Sequence, residues 1–176
     1  LLEVGAGENW HDLVTYVVNK NWGGIENLAF IPGTVGAAPI QNIAAYGGNF
    51  SDVFEYLDAF NVETGEIEKF NKKKCHFGYR DSIFKRELKE KYIILRVVLR
   101  LSKNPQIEAS YYQIGITRDS KKEELQKIST LPYTILDVYQ AVVNIRKRKL
   151  PDPTKTPTVG SFFLNSIISK KKYEEL

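Results

Sequence analysis

Trp10, Leu13, Val14, Val17 and Val18 recur at three- and four-residue intervals. That spacing lines one face of an α-helix, and the pattern predicts a helix with one buried face, ended by Gly23 and Gly24. "VFEYLDAFNVETGEIEKF" reads as two strands around a Thr64-Gly65 turn. "KYIILRVVLRL" alternates, placing Ile93, Leu95, Val97, Leu99 and Leu101 on one face and Arg96 and Arg100 on the other. It predicts a strand buried on one side. Residues 103–133 are polar and mixed, with one short helix expected near Lys121–Ile128. After Pro132, Thr134 and Asp137 form a capping box for a second long helix, with Leu136, Tyr139, Val142 and Val143 as its apolar stripe. It must end before "LPDPTKTP", because Pro151, Pro153 and Pro157 donate no helix hydrogen bonds. Strands and helices are segregated along the chain rather than alternating, so the expected class is α+β.

One stretch fits neither period. "IPGTVGAAPIQNIAAYGG", Ile31 to Gly48, holds eight Gly or Ala among eighteen residues, and no charged residue falls between Glu26 and Asp52. Its Pro and Gly density predicts irregular backbone. Uncovered main-chain N–H groups can form a concavity for an anion, usually a phosphate, with Ile31, Ile40 and Ile43 beside it for a flat apolar ring. The competing reading is a tight buried turn where only small residues fit.

Composition narrows the classes. A chain of 176 residues with 43% hydrophobic and 26% charged positions has room for one domain, or one and part of another. No apolar run approaches a membrane span's length of roughly 18 residues. A single cysteine, Cys75, rules out an internal disulfide framework and fits a reducing cytoplasm. Two histidines are too few for most multi-His metal sites or for a triad, so no metal is expected. The absence of an initiator Met makes the chain read as a fragment. The net charge of +4 is uneven: residues 144–176 carry +5 and the remainder −1. Concentration of the excess positive charge at one end, without interleaved aromatics, argues against nucleic acid as a partner.

Two further stretches carry candidate chemistry. In "CHFGYRDSIFK", Arg80 is flanked by Phe77, Tyr79 and Phe84. A guanidinium held rigidly among rings suits a substrate carboxylate, unless Asp81 simply neutralises it. In "VGSFFLN", Ser161 follows a glycine and Asn165 lies four residues on. A serine hydroxyl can donate a proton where its surroundings stabilise the alkoxide, although a serine after glycine is also an ordinary turn residue. Lys149 could meet a diphosphate or could cap the preceding helix dipole.

Taken in order, "GAGENWHDLV", "IPGTVGAAPIQNIAAYG", "FGYRDSIFK", "KLPDP" and "GSFFLN" resemble the UDP-N-acetylenolpyruvoylglucosamine reductase (MurB) family. "ASYYQI" falls where the form with an extra tyrosine-bearing loop carries that loop. The resemblance covers nearly the whole chain. It implies an FAD-binding domain of the vanillyl-alcohol-oxidase (PCMH-like) fold over residues 1–104, a tyrosine-loop connection over 105–133, and the start of the substrate-binding C-terminal domain over 134–176. It further implies NADPH as reductant, reduction of UDP-N-acetylglucosamine enolpyruvate to UDP-N-acetylmuramate for peptidoglycan, a cytoplasmic setting, and a monomer with no membrane partner.

By the same resemblance, Arg80 would stabilise the enolate-like charge and Ser161 would supply the proton. Tyr79, Tyr111, Lys149 and Asn165 would contact substrate. Ile31, Pro32, Gly33, Gly36, Ala37, Ala38, Pro39, Ile40, Asn42, Gly47 and Ile94 would contact FAD. Some relatives carry Ser at Ala37 or Ala38, so backbone N–H groups would serve here. The family's glycine-rich diphosphate loop would precede Leu1 and its catalytic glutamate would follow Leu176, so the fragment alone is expected not to turn over. The alternative is a non-catalytic flavin- or nucleotide-binding relative of the same fold.

Overall fold

A computed structural model describes residues 1–107, 120–151, 155–156 and 168–175. In chain order the elements are β1 (Leu2–Gly5), α1 (Trp10–Asn19), β2 (Ala44–Ala45), β3 (Gly48–Asn49), α2 (Phe50–Val53), β4 (Phe54–Asn61), β5 (Ile67–Asn71), α3 (Lys72–Cys75), β6 (Tyr92–Leu99), α4 (Ser120–Ile128), α5 (Ile135–Lys149) and α6 (Lys170–Glu174). Four strands form an antiparallel sheet in the order β1-β6-β4-β5, and β2 pairs with β3 in a separate hairpin. Three helices fall between strands, but every strand pairing is antiparallel and α4, α5 and α6 follow the last strand, so the class is α+β.

The first helix forms as its spacing predicts. Asn9 caps it, its side chain accepting from the Asp12 N–H, which satisfies one of the orphan donors of a helix start. Trp10, Leu13, Val14, Val17 and Val18 are all buried. Trp10 also donates its indole N–H to the Leu28 carbonyl at 2.9 Å, so its one polar atom is not stranded in the core. The helix stops earlier than the glycines suggested: Asn19 is its last residue and Asn21 takes a left-handed φ of 56°. Gly23 serves another purpose, pairing with Ser102 across the end of the sheet, where an added Cβ would meet Pro105 at 2.3 Å.

Strand β6 departs from simple alternation. Asp58 pairs with Arg96, but Ala59 pairs with Ile94, leaving Leu95 as one extra residue. Such a bulge switches the facing of everything beyond it. Ile93 and Leu95 are therefore exposed, and Ile94 turns toward the side on which Leu57, Ala59, Val97 and Leu99 are buried. On the opposite side Arg96 bonds Asp58 at 2.7 Å and Glu3 at 3.1 Å, and Arg100 bonds both oxygens of Glu55.

The second long helix carries the complete capping box of Thr134 and Asp137. Its buried stripe is Ile135, Val138, Ala141, Val142, Val143 and Ile145, whereas Leu136 is 52% exposed. Starting the stripe one residue earlier rotates the helix so that Ile135, Val142 and Val143 join the core containing Trp10 and Leu57. Tyr139 meets α1 directly, its hydroxyl 2.9 Å from Thr15 Oγ1 and its ring stacked on His11. The short helix α4 packs on α5 through Leu125, Val138 and Ala141. There Glu124 accepts two bonds from Arg148 and one from Asn144, and the Arg148 hydrogen bond holds the Glu124 carboxyl below its ordinary pKa. Among the described residues no helix is long and apolar enough to cross a membrane, and no cluster of His, Cys, Asp and Glu could hold a metal.

Candidate functional site

The bare stretch builds parts of two neighbouring clefts. The first, about 470 Å³, is lined by Ala6, Gly36, Ala37, Ile40, Tyr92 and Ile94 among others. Its lining is largely apolar, with Ile40, Phe84, Leu88 and, around the β6 bulge, both Ile93 and Ile94. Gly36 is bare for a steric reason: a Cβ there would stand 2.7 Å from that of Ala6. The second cleft, about 560 Å³, is lined by Asn42, Gly47, Tyr79 and Arg80 together with the β2–β3 turn. Tyr46 and Gly47 form that turn with φ of 49° and 88°, the positive pair that a two-residue hairpin favours. Only Gln41 separates Ile40, in the first cleft, from Asn42, in the second.

One expectation for this stretch is overturned. The N–H groups of Gly36, Ala37, Ala38 and Ile40 do not face an anion. They donate to the carbonyls of Ala6, Thr34, Val35 and Ala37. Successive tight turns consume backbone donors locally, so small side chains here create room for apolar contact instead of a nest of free amides. Pro39 and Ala38 are buried, while Ile31, Pro32 and Gly33 line neither cleft.

The Arg80 loop is a tight turn. Gly78 and Asp81 pair with each other, the Gly78 N–H donating at 2.9 Å, so Tyr79 and Arg80 form its tip. Arg80 sits at φ 54°, a left-handed conformation uncommon outside glycine and one that marks stored strain. Its guanidinium lies 5.6 Å from the Tyr79 ring centre. Its Nη1 is shut from solvent and has no hydrogen-bond partner among the described residues.

Asp81 does not neutralise Arg80; it pairs with Arg86 at 3.0 Å. Nor do all three aromatics surround the guanidinium. Phe77 packs against Phe50 and Phe54, and Phe84 against Phe70 and Tyr92, because a two-residue turn leaves its flanking residues to the core.

Lys149 is exposed at the end of α5 and lines neither cleft. Tyr111, Ser161 and Asn165 lie outside the described residues. Cys75 is buried, and burial pushes its thiol up to about 12, so it is no nucleophile.

Sequence reasoning passed over Lys121. Its ammonium is fully buried, donating to Asn27 Oδ1 at 3.2 Å and to the Tyr46 carbonyl at 3.0 Å. It thereby ties α4 to the turn that walls the second cleft. A lysine in a polar helical segment gives no sequence sign of burial. His11 was passed over too: Nδ1 accepts the Phe30 N–H at 3.1 Å, and burial lowers its pKa.

Residues 1–71 match a protein-family model described as FAD binding domain. Over 171 residues, 97% of this chain, it is 52% identical to the UDP-N-acetylenolpyruvoylglucosamine reductase of Amoebophilus asiaticus, covering 48% of that protein. The reductases of the same name from Photobacterium profundum and Flavobacterium johnsoniae are each 44% identical, over 97% and 99% of this chain and 46% and 50% of theirs. The crystal structure of the enzyme (MurB) from Thermus caldophilus matches with a TM-score of 0.60 at 25% identity, covering 86% of this chain and 44% of that one. The chain spans about half the length of the curated relatives it matches.

Proposed function

We propose that this chain is the flavin-side half of a UDP-N-acetylenolpyruvoylglucosamine reductase, a cytoplasmic, monomeric oxidoreductase that reduces UDP-N-acetylglucosamine enolpyruvate to UDP-N-acetylmuramate. The observation that carries the proposal is the buried, unpartnered Nη1 of Arg80, a residue that lines the second cleft. It occurs in a chain that resembles such reductases along nearly all its length. A buried guanidinium nitrogen without a partner costs free energy unless a ligand satisfies it, and a carboxylate is its best geometric match.

The residues present suit FAD. Gly36, Ala37, Ile40 and Ile94 offer an apolar wall for a flat ring. When bound and reduced by NADPH, FAD would supply hydride chemistry at the enolpyruvyl double bond. Arg80 binds the substrate carboxylate and carries the negative charge that develops as hydride arrives. Such preorganised electrostatics matter most where water is excluded, and the Arg80 Nη1 is shut from solvent. Ser161 delivers the proton to the neighbouring carbon. Tyr79, Tyr111, Lys149 and Asn165 hold the substrate, the last three about its UDP portion. Ile31, Pro32, Gly33, Ala38, Pro39 and Gly47 complete the flavin-side frame, with Asn42 bonded behind it to Gly78 and Ser51, and the division at residues 104 and 133 belongs to the same reading.

The test is the absorbance spectrum of the purified full-length protein, followed by reoxidation of its reduced form with the enolpyruvyl substrate. A colourless protein that takes up no FAD ends the proposal. Ser161→Ala is expected to retain reduction by NADPH and to lose reoxidation by substrate; equal loss of both half-reactions removes the proton-donor assignment.

A further inference from the structure

Asn42 is 8% exposed and left-handed, with φ 44°. Both of its side-chain polar groups are engaged within the protein. Nδ2 donates to the Gly78 carbonyl at 2.9 Å, and Oδ1 accepts the Ser51 N–H at 3.0 Å. Gly78 is the first residue of the turn that carries Arg80, and its carbonyl is also the acceptor that closes the turn from Asp81. A second tether runs in parallel: the buried Ser82 hydroxyl donates to the Ile40 carbonyl at 2.6 Å. Gly78, just before the turn tip, and Ser82, just past the turn's last residue, are thus both bonded to the segment Ile40–Asn42, which joins the two clefts. Arg80 itself is strained, and its Nη1 is unbonded. The guanidinium's placement therefore depends on how the ends of its turn are held.

We infer that Asn42 is a positioning residue that fixes the Arg80 turn at a set distance from the apolar cleft, acting through the Gly78 carbonyl rather than by touching cofactor. The inference rests on the reading of Arg80 given above and adds a residue that acts upon it. Misplacement of a charge-stabilising group by about 1 Å can cost on the order of 10²-fold in rate. A tether whose loss lets the turn relax out of its left-handed geometry would act on that scale.

The test uses the full-length, FAD-loaded protein. Asn42→Gly removes both hydrogen bonds while keeping a residue that tolerates φ 44° without strain. Reduction of bound FAD by NADPH is expected to persist, and single-turnover reoxidation by the enolpyruvyl substrate to slow roughly 10- to 100-fold. In an Arg80→Ala background the same change is expected to add less than about threefold, because residues acting through one group are not additive. Full multiplication of the two losses, an equal loss in both half-reactions, or unchanged reoxidation would each overturn the inference. If Asn42→Gly does not accumulate as folded protein, Ser82→Ala is read by the same three criteria. A wild-type protein that binds no FAD would instead remove the proposed function, so the two failures are distinguishable.

Discussion

Lys121, on the first turn of α4, and Arg80, at the tip of the Gly78–Asp81 turn, each bring a withdrawn positive charge close to the second cleft. Lys121 is completely buried and bonded to Asn27 and to the Tyr46 carbonyl. Arg80 is less buried, yet its Nη1 has no partner among the described residues. Its backbone is strained as well. Lys121 belongs to the fold's own accounts, its cost met by oxygens supplied locally. Arg80 holds unmet demand, and unmet demand in an otherwise well-satisfied interior is a mark of a site.

The sharpest test of that contrast is Arg80→Ala. Loss of a preorganised donor typically costs ~10²–10³ in rate, which under the proposed function is read in single-turnover reoxidation by the enolpyruvyl substrate. Stability should change by less than about 0.5 kcal/mol in urea denaturation, because no protein bond is removed. A large destabilisation would mean that Arg80 is structural and would dissolve the contrast.

Lys121→Met is the converse. It leaves Asn27 and the Tyr46 carbonyl short of a donor, for which about 1–3 kcal/mol of stability is the expected cost. The rate should fall only as far as the β2–β3 turn loosens. A stability loss below a few tenths of a kcal/mol would show that the ammonium does not secure that turn.

The smallest effect expected is a pH dependence from His11. Its pKa lies below 6.5, chiefly through burial, with Lys147 and Arg146 also lowering it against Asp12. The unfolded chain therefore takes up the proton first as pH falls below that value. Stability should be full above 6.5, decline below it, and flatten once the folded form is also protonated. Protonation also costs the Phe30 N–H its acceptor. His11→Gln should remove this part of the pH profile, measured by denaturation at fixed salt. An unchanged profile would mean that other groups produce it.

Much of the molecule was readable from local pattern. The α1 stripe is correct at all five positions, the Thr134–Asp137 box is complete, and the β4–β5 hairpin turns where Thr64-Gly65 lies. These are short-range matters, decided by spacing, capping and turn chemistry within a few residues. The Ile31–Gly48 stretch was marked out by composition alone, and several of its residues do line clefts. What composition could not decide was where its amides go. Those of Ala37, Ala38 and Ile40 go to carbonyls three residues back, and only that of Gly36 reaches a distant partner, Ala6, just past β1.

The same limit applied wherever a distant partner intervened. Ile93 and Leu95 look buried in the sequence, but one bulge, fixed by pairing with β4, exposes them and faces Ile94 inward. Asp81 looks like the neutraliser of Arg80, but the two-residue turn directs it to Arg86. Lys121 looks solvated, but α4 docks its amine against Asn27, ninety-four positions earlier. By itself the chain determined which segments become helix, strand and turn, and which stretch is stripped for contact, because those choices rest on neighbours in sequence. Only the tertiary structure decided which donors are spent, which face each strand shows, and which cation is left wanting. Hydrogen-bond satisfaction is settled among groups that the chain brings together from afar.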